Sequence, residues 1–419
     1  MKLVSNNDAQ LFMNANPELD ILCLSHLRWN FVYQRPQHLL SRAATRQRVF
    51  FFEEPVHHDG EAFLEMRNEK PNLVVAVPHL PHGLSEAQQI EMQEMLLDEL
   101  ISTFRIKNYL AWYYTPMALK FTKRLDPDLV VYDCMDQLSH FKFASPELPR
   151  LEQALFSKAD LVFTGGYSLY EAKRDMHPNV YAFPSSVDVA HFAKARNDSQ
   201  VPNDMKNIKG PKIGYMGVID ERIDLELIEG IARMRPEWNI IMLGPIVKID
   251  PASLPQLPNI HYLGGKGYDE LPHYLATWDI GMLPFARNDA TRYISPTKTP
   301  EYLAAGLQVI STSIRDVCKP YGEMKLAAIA DAVETFVFHA QRMLEDGPTV
   351  EWQAKVEAFL AKVSWDKTFD AMHELIALED SKNKEEELND TSPAAISFSK
   401  DLRMSPKVNV NNGVAAMPS

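Results

Sequence analysis

Short apolar runs alternate with one-faced helical stripes along most of this chain, and that alternation constrains the fold more than any other feature. A first series of runs falls at 21–24, 49–52, 73–77, 110–114, 129–132 and 161–164, and a second at 212–216, 239–243, 259–263, 280–283 and 309–311. Runs this short and this uniformly apolar read as strands buried on both faces. Between them lie stripes such as Leu225, Ile228, Ile231, Ala232 and Val333, Phe336, Val337, Ala340, Met343, Leu344, each apolar on one helical face. Strand–helix alternation of this kind predicts an α/β chain with parallel sheets covered on both sides.

A chain of 419 residues exceeds what one core usually holds. Residues 193–210, polar and rich in Asn, Asp, Pro and Lys, separate the two strand series and read as a linker. The expected organisation is a disordered N-terminus (1–19), a first Rossmann-like domain (20–195), a linker (196–210) and a second Rossmann-like domain (211–363). A crossover helix (364–380) and a disordered tail (381–419) complete it.

Charge and cysteine content exclude several classes. A net charge of −13 with no basic block argues against a nucleic-acid partner. Neither a signal-peptide core nor a run of membrane-spanning length is visible, so a cytoplasmic protein is expected. Cys23, Cys134 and Cys318 lack metal-ligand spacing and read as buried free thiols. His57, His58, His79 and His82 read as solvated loop histidines, and Asp126-Pro-Asp128 as a turn, so no metal is expected. The G-x-G-x-x-G fingerprint of a nicotinamide enzyme is missing after the first strand.

The stretch Ser295-Pro-Thr-Lys-Thr-Pro-Glu-Tyr-Leu-Ala-Ala-Gly306 carries the chemistry. Thr297 or Thr299 would cap a short helix entered by Pro300 and closed by Gly306. Lys298 stands at that helix start, where backbone N–H groups and the dipole favour an anion. Glu301, one turn inward, is placed to accept from a ribose diol. The alternative is an ordinary helix–strand corner with both side chains solvated. Asp133 and Asp136 follow the run 129–132, at the strand end where ligand contacts of α/β folds gather. His26 or Asp136 is a candidate general base for an acceptor hydroxyl.

Together these residues carry a resemblance. The carriers are Arg28-Trp29 with Gln34-Arg-Pro-Gln-His38, Tyr132-Asp-Cys-Met-Asp136, Ala159-Asp-Leu-Val-Phe-Thr164, Gly214-Tyr-Met-Gly217 with Asp220 and Arg222, Leu243-Gly-Pro245 and the 295–306 stretch. In this order on alternating strands the chain resembles retaining GT-B glycosyltransferases of the nucleotide-sugar-dependent family 4 type, which includes bacterial polysaccharide and teichuronic-acid enzymes. The resemblance implies two doubly wound domains facing across a cleft, and transfer of a sugar from a nucleoside diphosphate donor to a glycan or lipid-linked saccharide. No metal or other cofactor is implied, and a UDP-sugar is the expected donor. It implies donor contacts from Gly217, Arg222, Gly244, Tyr293, Ser295, Thr297, Lys298 and Glu301, with Gly214 and Gly217 letting backbone approach the phosphates. Arg222, Lys298 and Asp136 are the implied catalytic set. His26, Trp29, Gln34, Arg35, His38 and Asp133 stand on the acceptor side. Arg222 has a competing role as a partner of Asp220 or Asp224, and Arg35 and His38 as ordinary first-turn helix residues.

Two departures matter. Family members often carry a second glutamate eight positions before the one matching Glu301, where this chain has Tyr293, and the glycine-rich acceptor-side loop is replaced by residues 27–30 and 34–38. Retention in the family is attributed to front-face attack with the leaving phosphate taking the proton, so no protein base is required. Peripheral contact with the inner face of a membrane follows if the acceptor is lipid-linked; the oligomeric state is open. A nucleotide-sugar 2-epimerase and a non-catalytic partner subunit of the same fold are the competing readings.

Overall fold

The structure is a computed structural model, and it describes residues 19–390. The first sheet is built from β1 (Asp20–Leu24), β2 (Val49–Phe52), β3 (Val56–His58), β4 (Phe63–Lys70), β5 (Leu73–Pro81), β6 (Tyr109–Tyr113), β7 (Leu129–Cys134), β8 (Leu161–Thr164) and β9 (Val180–Ala182). The second is built from β10 (Lys212–Met216), β11 (Asn239–Leu243), β12 (Ile260–Gly264), β13 (Ile280–Leu283), β14 (Gln308–Ser311) and β15 (Ala327–Ile329). Every run read from the sequence as a strand is one. Full burial of β1, β2, β6 and β7 explains why those segments are uniformly apolar.

Sheet order is β3-β5-β2-β1-β6-β7-β8-β9 in the first and β12-β11-β10-β13-β14-β15 in the second. In each the chain starts in the middle, winds outward to one side, then returns to wind the other way. The switch points lie between β1 and β6 and between β10 and β13, and crevices open outside the strand carboxyl ends at such points. The second sheet is parallel throughout.

The first sheet departs from the all-parallel expectation. β4 runs antiparallel to β5 as an edge strand, with Leu64 and Met66 turned to the core and Glu65, Arg67 and Glu69 alternating with them. Those charges blunt the edge, and they also hid the strand from an apolar-run reading. His57 and His58 lie in β3 and His79 in β5, so three of the four histidines read as loop residues are strand residues, and His79 Nε2 stands 2.8 Å from Glu65 Oε2. Asp128 does structural work before β7: its Oδ2 accepts from the Tyr109 N–H at 2.7 Å.

The segment expected as a linker is packed in place. Arg196 donates to the Ala304 carbonyl at 2.7 Å, and Ala195 and Met205 are buried in the second core. Near the chain end, the helix starting at Trp365 runs through to Asp390, ten residues past the expected end of the crossover helix at 380. Its later turns, Lys382-Asn-Lys-Glu-Glu-Glu387, are helix formers lacking an apolar stripe, which is why they read as tail. The expected N-terminal disorder, apart from residue 19, and the remainder of the expected tail, 391–419, lie outside the described residues.

Glycines in the second sheet mark close packing. Gly214 lies within β10, where a Cβ would sit 2.3 Å from the Trp278 ring, so it serves sheet packing and not phosphate approach, correcting the expectation. A Cβ on Gly244 would lie 1.8 Å from the Gly217 carbonyl oxygen. Since backbone cannot swing aside as a side chain does, Gly244→Ala is expected to lower unfolding free energy by more than about 2 kcal/mol in urea titration.

Candidate active site

Both switch points open on one cavity of about 340 Å³, lined from the first sheet's side by His26, Gln34, Met135 and Asp136 and from the second's by Gly217, Arg222, Lys298 and Glu301. The helix Lys298–Ala304 is held to the second sheet by Tyr302. Its ring lies where a Cβ on Gly281 would meet it at 2.4 Å, and its hydroxyl accepts from the Met216 N–H at 2.7 Å. That seat fixes Lys298 and Glu301 at the carboxyl end of β10. Gly306, at φ +88°, closes the helix as its sequence suggested. Thr297 makes no capping hydrogen bond to the backbone, correcting the capping expectation, because its own backbone is already in the helical region.

Lys298 reaches across Gly217, where a Cβ would come within 2.4 Å of its Cε. Gly217 is therefore needed for the lysine's path over the strand end. Burial pulls the Lys298 ammonium below its usual range and pushes the Glu301 carboxyl above its own, with each partly restoring the other's charge. Arg222 takes up the expected partnership with Asp220 and still lines the cavity. Its Nε lies 2.9 and 3.0 Å from the two Asp220 oxygens and Nη2 2.6 Å from Oδ2. Burial works against its charge, and the Asp220 carboxylate outweighs burial and holds its pKa above the ordinary value. The fork is thus preorganised by a partner that does not close it off.

Asp136 stands on the opposite wall. Burial raises its carboxyl to about 6, against the pull of Arg222, Arg35 and Lys298. His26 is pushed down to about 4, by burial first and by Lys248 second, and is a neutral imidazole at pH 7. The raised carboxyl means the folded state binds more protons than the unfolded one between about pH 4 and 6. Stability of the ligand-free protein therefore falls through that window, and the penalty is complete above it. Asp136→Asn is expected to raise stability at pH 7.5 by about 1–3 kcal/mol and by nothing at pH 4, checked by urea titration at both values.

Several sequence-predicted residues lie elsewhere. Asp133 is inside β7 and fully buried, because the strand extends two residues beyond the apolar run. Its oxygens accept from Arg35 Nε at 3.0 Å each, while Arg35 Nη1 donates to the Phe183 carbonyl at 2.8 Å. Arg35 touches the cavity wall, but its fork is occupied by this pair. Trp29 packs edge-on against Phe51, its N–H donated to Glu53 Oε1, and His38 stacks on Trp365; neither lines the cavity. Gly244 backs Gly217 from outside the lining, and Tyr293 sits against His140 beyond it. Ser295, Thr297 and Gln34 do line it. The Gln34 loop is held by Gln37, whose amide donates to the Trp29 and Val32 carbonyls and whose oxygen accepts from the Gln34 N–H.

Lining residues that escaped the sequence reading include Lys248, Phe141 and Tyr268. Lys248 and Arg222 both lie over the Phe141 ring, 5.4 and 5.7 Å from its centroid, and Tyr268 stacks on Tyr33 at 4.5 Å across the cleft. Lys248, Tyr268 and Phe141 all follow the carboxyl ends of strands, β11, β12 and β7 in turn, a positional signal that was available for each. Among the described residues no set of three His, Cys, Asp or Glu is placed to hold a metal ion.

No family model matches the chain. A protein of Bacillus subtilis (strain 168) named as a teichuronic acid biosynthesis glycosyltransferase, TuaH, is 25% identical over 243 residues, covering 54% of this chain and 60% of that protein. The match thus spans less than two thirds of that relative's length. Among solved structures, sucrose-phosphate synthase from Thermosynechococcus elongatus superposes with a TM-score of 0.64 at 14% identity, covering 86% of this chain and 99% of that one. A UDP-forming alpha,alpha-trehalose-phosphate synthase from Burkholderia xenovorans gives 0.63 at 13% identity, with 85% and 99% covered. The chain has the GT-B fold. In GT-B terms, the cavity lies between the two Rossmann-like sheets, at the carboxyl ends of both. No helix among the described residues is long and apolar enough to cross a membrane.

Proposed function

We propose that this chain is a retaining, metal-independent glycosyltransferase that moves a sugar from a nucleoside diphosphate donor, UDP-linked by preference, to a hydroxyl of a glycan or lipid-linked saccharide. The observation that carries the reading is the convergence of Lys298, Arg222 and Glu301 on one cavity at the switch point of the second sheet. The similarity to TuaH supports the same activity class.

Glu301 accepts from the ribose hydroxyls, and Lys298 and Arg222 face the diphosphate. As the bond from the anomeric carbon to the phosphate oxygen breaks, negative charge grows on the leaving diphosphate. Cations fixed beforehand by Tyr302, Gly217 and Asp220 stabilise that state more than the ground state. Three lining cations, Arg222, Lys248 and Lys298, supply the charge neutralisation without a divalent ion. Asp136 holds sugar hydroxyls on the opposite wall. The acceptor enters past His26 and Gln34, and its proton leaves with the departing phosphate.

The test is release of nucleoside diphosphate from UDP-glucose, UDP-galactose, UDP-N-acetylglucosamine and UDP-glucuronate in EDTA, with the anomeric configuration of any transferred sugar read by proton NMR. Release from one donor with the α configuration kept supports the reading; an inverted product removes retention, and activity only after adding a divalent ion removes metal independence.

A further inference from the structure

After β7 the chain leaves the first sheet and meets the second lobe twice before it re-enters its own lobe as the helix Leu148–Lys158. His140 Nδ1 stands 3.2 Å from the Asp289 carbonyl oxygen, to which a ring nitrogen can only donate, and its ring lies 5.6 Å from that of Tyr293. One residue on, the Phe141 ring takes over it the ammonium of Lys248 and the guanidinium of Arg222, both from the second lobe. Tyr293 in turn reaches back and packs against the core of the first lobe.

These contacts come from a short, internally braced segment. The Asp136 carbonyl accepts from the Leu138 N–H at 3.1 Å, the Gln137 carbonyl from the His140 N–H at 2.9 Å, and the Leu138 carbonyl from the Phe141 N–H at 3.3 Å. Gln137 Nε2 donates to Ser139 Oγ at 2.7 Å. Asp136, His140 and Phe141 therefore move together. The surface that receives them is braced too. The Ala286 N–H donates to the Arg222 carbonyl at 2.8 Å, and the buried Thr291 ties its hydroxyl to the Ala286 and Asn288 carbonyls. The loop 286–294 that holds His140 thus also holds the Arg222 backbone. Across the cavity, Asp136 and Arg222 are near enough for each to shift the other's titration.

We infer that residues 136–141 are a clasp between the lobes, and that His140 and Phe141 are positioning residues which, by gripping the second lobe, set Asp136 against the bound donor sugar. Neither residue lies in the buried core, so these contacts are not what holds the first lobe together. They are polar, cationic and aromatic, the kind of interface that lets lobes part when substrates enter. Opening the cleft breaks them and draws Asp136 away from Arg222; closing remakes them. The clasp stands on contacts of the ligand-free chain, whereas the positioning of Asp136 rests on the donor assignment of the main cleft.

Small-angle X-ray scattering of the ligand-free full chain tests the clasp without any substrate. His140→Ala/Phe141→Ala should have a larger radius of gyration than the parent, while Phe141→Tyr, which keeps the ring, should match it. Melting should stay cooperative in both, with Tm within about 3 °C of the parent. Turnover tests the positioning, with whichever of UDP-glucose, UDP-galactose, UDP-N-acetylglucosamine and UDP-glucuronate the parent uses. The double variant should lose roughly 10–100-fold in kcat. Its dissociation constant for UDP should stay within about threefold, since Lys298 and Glu301 are untouched and Asp220 still holds Arg222. Asp136→Asn, costly in the parent, should add less than about twofold in the double variant, where the carboxyl is already out of place. An unchanged radius of gyration overturns the clasp. Losses in kcat that Phe141→Tyr shares, that follow UDP affinity, or that multiply with those of Asp136→Asn overturn the positioning role. A parent that binds no UDP and turns over no UDP-sugar overturns the donor assignment and the positioning with it, and the scattering result then decides the clasp alone.

Discussion

Replacing Asp133 by Ala lowers unfolding free energy by about 3–5 kcal/mol, the cost of leaving a buried cation without its partner. Arg35 and Asp133 have side chains 2% and 0% exposed, and Nη2 stands 2.8 Å from Oδ1 besides the two Nε contacts. Removing the carboxylate strands a guanidinium that only the Phe183 carbonyl still serves. Arg35→Met/Asp133→Leu, which removes both charges and keeps volume, should recover most of the loss. Urea unfolding of the two variants beside the parent checks this. A loss under 1 kcal/mol in the single variant would mean that water reaches the pair. The effect also reaches the main cleft, since Asp133 lies three residues before Asp136 and Arg35 follows Gln34 on the opposite part of the same wall.

The second large effect belongs to Lys298. Lys298→Ala is expected to lower kcat/KM for the donor by roughly 10²–10³-fold, the usual loss when a preorganised group facing developing charge is removed. The fold should tolerate the change. The lysine's charge is disfavoured by burial, and its stem lies over Gly217 and not deep in the core. Melting temperature should thus stay level or rise while activity falls. Lys298→Arg should not rescue it, because the path over Gly217 is narrow and a planar fork does not follow a lysine's stem. Steady-state kinetics beside a thermal melt distinguishes this outcome from simple misfolding.

The sheet strands were legible because burial on both faces leaves little choice of residue, so segments like Val49–Phe52 are apolar without interruption. The 295–306 stretch was legible because a helix start, a cation, a carboxylate and a closing glycine fall within one short interval. What stayed hidden was decided by tertiary contact. Strand β7 runs on through Asp133 because Arg35, 98 positions earlier, compensates a charge that by itself signals the strand's end. Gly214 and Gly217 look alike in the sequence, but one is strand backbone facing the Trp278 ring and the other lies just past the strand end at φ +150° under the Lys298 stem. Tyr268 gains its place from Tyr33 and His191, neither of which is near it in sequence. His38 and Trp29, polar-faced and close to the first strand end, were drawn inward by Trp365 and Phe51.

The central claim is a nucleoside diphosphate held by Lys298, Arg222 and Glu301. Its most direct test is calorimetric titration of UDP, GDP, ADP and dTDP into the full chain in EDTA, repeated with Lys298→Ala and Glu301→Ala. The account predicts that one of the four, UDP first, binds one per chain with a dissociation constant on the order of 10–100 μM and loses at least tenfold in each variant. Failure of all four to bind, or binding that both variants leave unchanged, would contradict it.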